Sequence, residues 1–111
     1  SAANRYFAAA GNTTDGWFGG GFPNFSTVDR ITYATDTATA SVRGPLSGGR
    51  YKLAAAGNTT DGWFGGGQVG GLGDAVSTVD RITYATDTAT ASVRGPLSLA
   101  RNSLAAAGGI Q

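Results

Sequence analysis

Short runs of alternating or apolar residues are broken along this chain by clusters of glycine, asparagine, aspartate and threonine. That spacing is the mark of strands joined by tight turns. An apolar run over residues 5–10 ends in Gly11-Asn12-Thr13-Thr14-Asp15-Gly16, a group of turn formers. Residues 16–20 then carry Trp17 and Phe18 into a glycine cluster, which reads as a second strand with close backbone approach at its end. Residues 28–34 are β-branched and aromatic and predict a third strand, closed by a turn at Thr35-Asp36. Residues 37–43 alternate, with Ala38, Ala40 and Val42 on one face and Thr37, Thr39, Ser41 and Arg43 on the other, up to the stop at Gly44-Pro45. The expected unit is four short strands.

The unit occurs twice. AAAGNTTDGWFGGG at residues 8–21 recurs unchanged at 54–67, and STVDRITYATDTATASVRGPLS at 26–47 recurs unchanged at 77–98. The copies differ mainly in one linker, residues 22–25 in the first and 68–76 in the second. A partial third copy follows, because Arg101-Asn102-Ser103-Leu104-Ala105-Ala106-Ala107-Gly108 matches Arg50-Tyr51-Lys52-Leu53-Ala54-Ala55-Ala56-Gly57. The organisation is therefore a first unit at 5–47, a second at 48–98 and an extra strand with a tail at 99–111.

Composition strengthens the β reading and narrows the chemistry. Nineteen glycines stand beside 41% hydrophobic residues in 111, too apolar for a disordered tract. All seven acids are aspartate, and seven of the eight bases are arginine, Lys52 being the exception. A net charge of +1 offers no electrostatic case for nucleic acid or an anionic membrane, and no apolar run is long enough to span a bilayer. Without histidine, cysteine or glutamate, the usual general bases, thiol nucleophiles and imidazole ligands are missing. No enzymatic activity, cofactor or metal site is expected. Absence of cysteine is compatible with either redox compartment.

The repeated residues resemble the kelch repeat. Its double glycine is matched by Gly19-Gly20 and Gly65-Gly66, its tyrosine by Tyr33 and Tyr84, and its Asp-x-x-Thr turn by Asp36–Thr39 and Asp87–Thr90. Pro45-Leu46 with Arg50, and Pro96-Leu97 with Arg101, match its last element. The fourth-strand tryptophan of that family is absent, its neighbourhood taken by Ala40, Ser41 and Val42, which suggests a divergent lineage. Exact repeats of this wording also look similar to those of repetitive phage or bacterial structural proteins, and such identity implies recent duplication or design. The resemblance implies an all-β fold of two four-stranded antiparallel β-propeller blades.

Two blades leave two apolar faces uncovered, and propellers close at typically 4–8 blades. A homo-oligomer is the expected partner arrangement: a trimer with six blades is favoured, and a dimer or tetramer would give four or eight. The surplus strand residues Ser103, Leu104, Ala105, Ala106 and Ala107 are candidates for strand exchange between chains.

Trp17, Phe18, Trp63, Phe64, Tyr33 and Tyr84 are candidates for blade-to-blade packing, favoured over stacking on a sugar. Asp29, Arg30, Arg43, Asp80, Arg81 and Arg94 recur once per blade, alongside Asp36 and Asp87, and are candidates for ion pairing or for a charged rim. Gly65-Gly66-Gly67-Gln68-Val69-Gly70 formally spells a dinucleotide fingerprint, but no helix follows it, so it reads as a loop. Asn12, Asn24 and Asn58 open formal glycosylation triplets that read as ordinary turns. The function expected is a self-assembling structural or interaction scaffold. The alternative is a carbohydrate- or receptor-binding propeller of a virion or cell surface, for which no residue makes a specific case.

Overall fold

A computed structural model describes residues 7–22, 24–69 and 74–100. It is all-β, with two four-stranded antiparallel sheets in succession. The first is formed by β1 (Ala8–Gly11), β2 (Asp15–Gly19), β3 (Val28–Thr32) and β4 (Ser41–Arg43), paired in chain order. The second is formed by β5 (Ala54–Gly57), β6 (Asp61–Gly65), β9 (Val79–Thr83) and β10 (Ser92–Arg94), also an up-and-down meander. Between β6 and β9 a small hairpin is inserted, β7 (Gln68–Val69) against β8 (Asp74–Ala75).

Local chemistry explains the meander. Asn12 Oδ1 accepts the backbone N–H groups of Thr14 and Asp15, each at 2.9 Å, which reverses β1 into β2. Asn58 does the same for Thr60 and Asp61 in the second copy. Asp15 Oδ1 then accepts the Thr32 hydroxyl at 2.6 Å, tying the start of β2 to the end of β3. The Asn-Thr-Thr-Asp segment is thus occupied by its own turn.

Four details differ from the expectation. The third strand stops at Thr32, and Tyr33–Thr35 forms a single 3-10 turn. The fourth begins only at Ser41: Asp36 and Thr37 form a turn closed by an Ala38 N–H bond to the Thr35 carbonyl, and Thr39 and Ala40 follow it outside any strand. Alternation also misled about the face, since Val42 is 66% exposed while Arg43 is half-buried. Arg43 turns inward for a carboxylate, which outweighs the apolar preference of one valine. The linker after β6 is a hairpin held by a Val76 N–H bond to the Gly67 carbonyl and by a bridge between Tyr51 and Gln68.

The core lies between the sheets. Successive strand residues point to opposite faces, and β2 buries Trp17 while leaving Phe18 outside. Its twin β6 does the reverse, burying Phe64 and leaving Trp63 half-buried. The first sheet therefore contributes its tryptophan face and the second its phenylalanine face. Trp17, Val28, Leu46, Leu53, Phe64, Ile82, Tyr84 and Ala91 form the buried cluster, edged by Ala8, Ala10 and Ala55. Each large side chain removed from water here contributes about 1.5–3 kcal/mol.

Candidate functional site

The densest chemistry among the described residues is at this junction, centred on Asp87. Its position follows the second 3-10 turn, Tyr84–Thr86, which lifts Asp87 off β9 and across to the first sheet. Trp17 Nε1 donates to Asp87 Oδ2 at 2.8 Å, and Arg30 Nη1 donates to the same oxygen at 3.1 Å. Arg43 donates to Oδ1 from Nε at 3.0 Å and from Nη2 at 2.7 Å. Trp17 and Arg30 are register partners on β2 and β3, and Ser41 and Arg43 flank the same face of β4, so the strand pairing itself builds the receptor. Burial pushes the Asp87 carboxyl up, but the hydrogen bonds of Arg43 and Trp17 and the charges of Arg43 and Arg30 outweigh it. Its pKa lies below the ordinary carboxylate value.

The backbone reinforces this clasp. The Gly44 N–H bonds to the Asp87 carbonyl at 2.7 Å, and the Ala91 N–H bonds to the Pro45 carbonyl at 2.8 Å. A Cβ on Gly44 would run into the backbone carbonyl of Ala89, so only glycine lets the two segments approach this closely. The Trp17 indole stacks on the Tyr84 ring at a centroid distance of 4.0 Å with 8° between planes. Burial, with the charge of Asp61 and the Tyr33 phenol behind it, raises the Tyr84 pKa to about 12.

A second clasp runs through Asp80, which is fully buried. Ser47 donates to it twice, from its backbone N–H at 2.9 Å and from its hydroxyl at 2.7 Å. Arg50 stands 3.3 Å from Asp80 and also donates to the Phe64 carbonyl at 2.9 Å. Desolvation lowers the Arg50 pKa, and the neighbouring Asp80 opposes that shift.

The other residues singled out in the sequence are distributed as follows. Trp17, Phe64 and Tyr84 are buried at the junction, whereas Phe18 and Tyr33 are exposed on the first sheet's outer face and Trp63 is half-buried on the second's. Arg30, Arg43 and Asp80 bond across the junction. Asp29 lies on the first sheet's outer face beside Phe18, its register partner, and Arg81 pairs with Asp61 at 3.8 Å within the second sheet. Arg94 is exposed. Ser103 to Ala107 lie outside the described residues. Ser47 and Arg50, the partners of Asp80, are functional residues that the pattern of strands and turns does not point to. Their signal is the Pro-Leu-Ser-x-x-Arg segment, which repeats around Pro96.

A groove of about 400 Å³ opens over the junction, lined by Asn12, Asp15, Trp17, Thr59, Thr60, Thr83, Tyr84 and Ala85. Trp17 is only 1% exposed and has Tyr84 against it, so no open indole face is left there for a sugar ring. What the arrangement does chemically is hold two sheets together through charge-assisted hydrogen bonds with low water access. No family model matches the chain, and no curated protein matches it.

Proposed function

We propose that the chain is a self-assembling structural scaffold, a pair of kelch-like propeller blades that completes a ring with further copies of itself. The observation carrying this reading is the Asp87 clasp. Every side chain in it (Trp17, Arg30, Arg43, Asp87) belongs to the exactly repeated blocks, so the repeat encodes the joint as well as the strand. A joint written into each repeat makes a ring of identical joints the economical assembly. Three chains would give six blades, the favoured count; two or four would give four or eight. The reading assigns the protein no catalysis, in keeping with a sequence that has no histidine, cysteine or glutamate.

Light scattering coupled to size-exclusion chromatography tests it. The expected mass is an integer multiple of the 11.1 kDa chain, with three as the favoured multiple. A folded β-sheet circular dichroism spectrum from a species of single-chain mass at high concentration would refute the scaffold.

A further inference from the structure

Identical sequence in two copies allows each residue of the junction to be compared with its twin on an open face. Phe64 is fully buried and its twin Phe18 is 37% exposed; Tyr84 is buried and its twin Tyr33 is 46% exposed. Both exposed twins belong to the first sheet's outer face. On the second sheet's outer face the pattern is repeated from the other side. Trp63 is more open than Trp17, Val79 more open than Val28, and Arg94 is exposed where Arg43 is not. The ion pairs among the described residues take in Arg30, Arg43, Arg50 and Arg81 but not Arg94. Arg30 has two carboxylates, Asp15 and Asp87, and Arg81 has one, Asp61.

Polar satisfaction points the same way. Asp80 is supplied by Ser47 and Arg50, whereas its twin Asp29 carries a buried Oδ1 with no hydrogen-bond partner among the described residues. A buried carboxylate oxygen left unpaired is costly, and a donor brought from outside removes that cost. The glycines repeat the contrast. A Cβ on Gly44 meets the Ala89 carbonyl, while a Cβ on its twin Gly95 meets nothing within 4 Å among the described residues.

We infer that these two faces are the two halves of one intermolecular joint, and that the occupant of each is a second copy of this chain, docked head to tail. The inference rests on the scaffold reading and specifies its contacts. Asp36 of one copy enters the receptor formed by Trp63, Arg81 and Arg94 of the next, as Asp87 enters that of Trp17, Arg30 and Arg43. Ser98 of that next copy donates to Asp29 of the first. The Asp36 side is acidic and the Arg81–Arg94 side basic, so the two faces attract each other and each repels its own kind. The joint is heterologous, because each copy uses different residues on its two sides, and such joints make a ring where the rotation between copies closes.

The test uses two variants that each disable one half. Asp36→Arg places a cation opposite the arginines and leaves the Trp63 face intact. Gly95→Leu fills the open space at the receptor's edge and leaves the Asp36 face intact. Each change lies on a face that the described residues leave uncovered, and circular dichroism checks that both variants keep their sheets. In native mass spectrometry each variant alone is expected to associate at least about 100-fold more weakly than the wild type. Their equimolar mixture is expected to form a one-to-one heterodimer and nothing larger, because only one intact joint can form.

Wild-type assembly with both variants assembling unchanged would overturn the inference and leave the scaffold reading standing. A homodimer of either variant would overturn the head-to-tail arrangement. A wild-type chain that stays single would instead overturn the scaffold reading itself. Should a variant lose its sheets, Asp36→Asn and Gly95→Ala take its place with the same expected masses.

Discussion

Asp36 and Asp87 occupy the same position of the repeat, yet only Asp87 is buried against two arginines and an indole. Its lowered pKa stabilises the fold above the unfolded carboxylate value of about 4, and that contribution disappears as pH falls through the folded value. Asp87→Asn is therefore expected to cost about 2–3 kcal/mol at neutral pH, by leaving Arg30 and Arg43 underpaired, and to flatten the acid limb of the stability profile. Urea midpoints measured from pH 7 to pH 3 check this. Asp36→Asn should shift the midpoint only where the chain associates, so its effect grows with protein concentration while that of Asp87→Asn does not.

Tyr84 works in the opposite direction. Its pKa is raised to about 12, so its contribution is complete below the unfolded value of about 10 and is lost as pH rises from there. The Tyr84 hydroxyl is buried without a hydrogen-bond partner among the described residues. Tyr84→Phe should keep the Trp17 stack, leave neutral-pH stability unchanged or raised by up to about 1 kcal/mol, and remove the alkaline loss between pH 10 and 12. Circular dichroism titration of the two proteins would show the difference, and coincident alkaline limbs would count against the assignment.

At the level of elements, the sheets are held by turns that the sequence states openly. Gly-Asn-Thr-Thr-Asp between apolar runs has one economical conformation, with Asn12 and Asn58 capping their own reversals. The β2 and β6 strands and the all-β class were therefore legible. The extent of β4 was not, because the alternation from Thr37 to Arg43 is equally compatible with a strand and with the turn that carries Asp36 or Asp87 outward. Tertiary pairing decided it, as the Gly44 bond to the Asp87 carbonyl shows. The hairpin β7–β8 was hidden for a different reason: glycine-rich wording suits a loop and a hairpin alike.

The twin glycines give an element-scale prediction. Gly44→Ala forces a side chain against the backbone after the second 3-10 turn and should cost about 1–3 kcal/mol in thermal or urea unfolding. Gly95→Ala, in the same sequence surroundings, should leave the fold of the single chain within about 0.5 kcal/mol of wild type. Equal costs at the two positions would mean that the sheets do not meet as described.

For the whole molecule, the candidate residues could be named from the repeat, but which of each pair would be buried could not. Trp17 and Trp63 have identical neighbours in sequence from Ala54-equivalent Ala8 onward to the triple glycine, so their different burial is imposed by what packs on each sheet. The Phe18, Tyr33 and Asp36 face and the Trp63, Arg81 and Arg94 face carry the same residue types as the two sides of the internal junction, and among the described residues they are more exposed than their twins. Assembly of copies through those faces is the central proposal, and the two tryptophans report on it directly.

A proton–nitrogen NMR spectrum of the labelled protein contains two indole N–H signals, one from each tryptophan. Followed through hydrogen exchange over a dilution series, the Trp17 signal should be protected at every concentration, because Asp87 of its own chain accepts its hydrogen bond. The Trp63 signal should exchange rapidly when dilute and gain the same protection as the chain assembles and Asp36 of a second copy reaches it. A Trp63 indole that still exchanges rapidly in a fully assembled sample would contradict the joint.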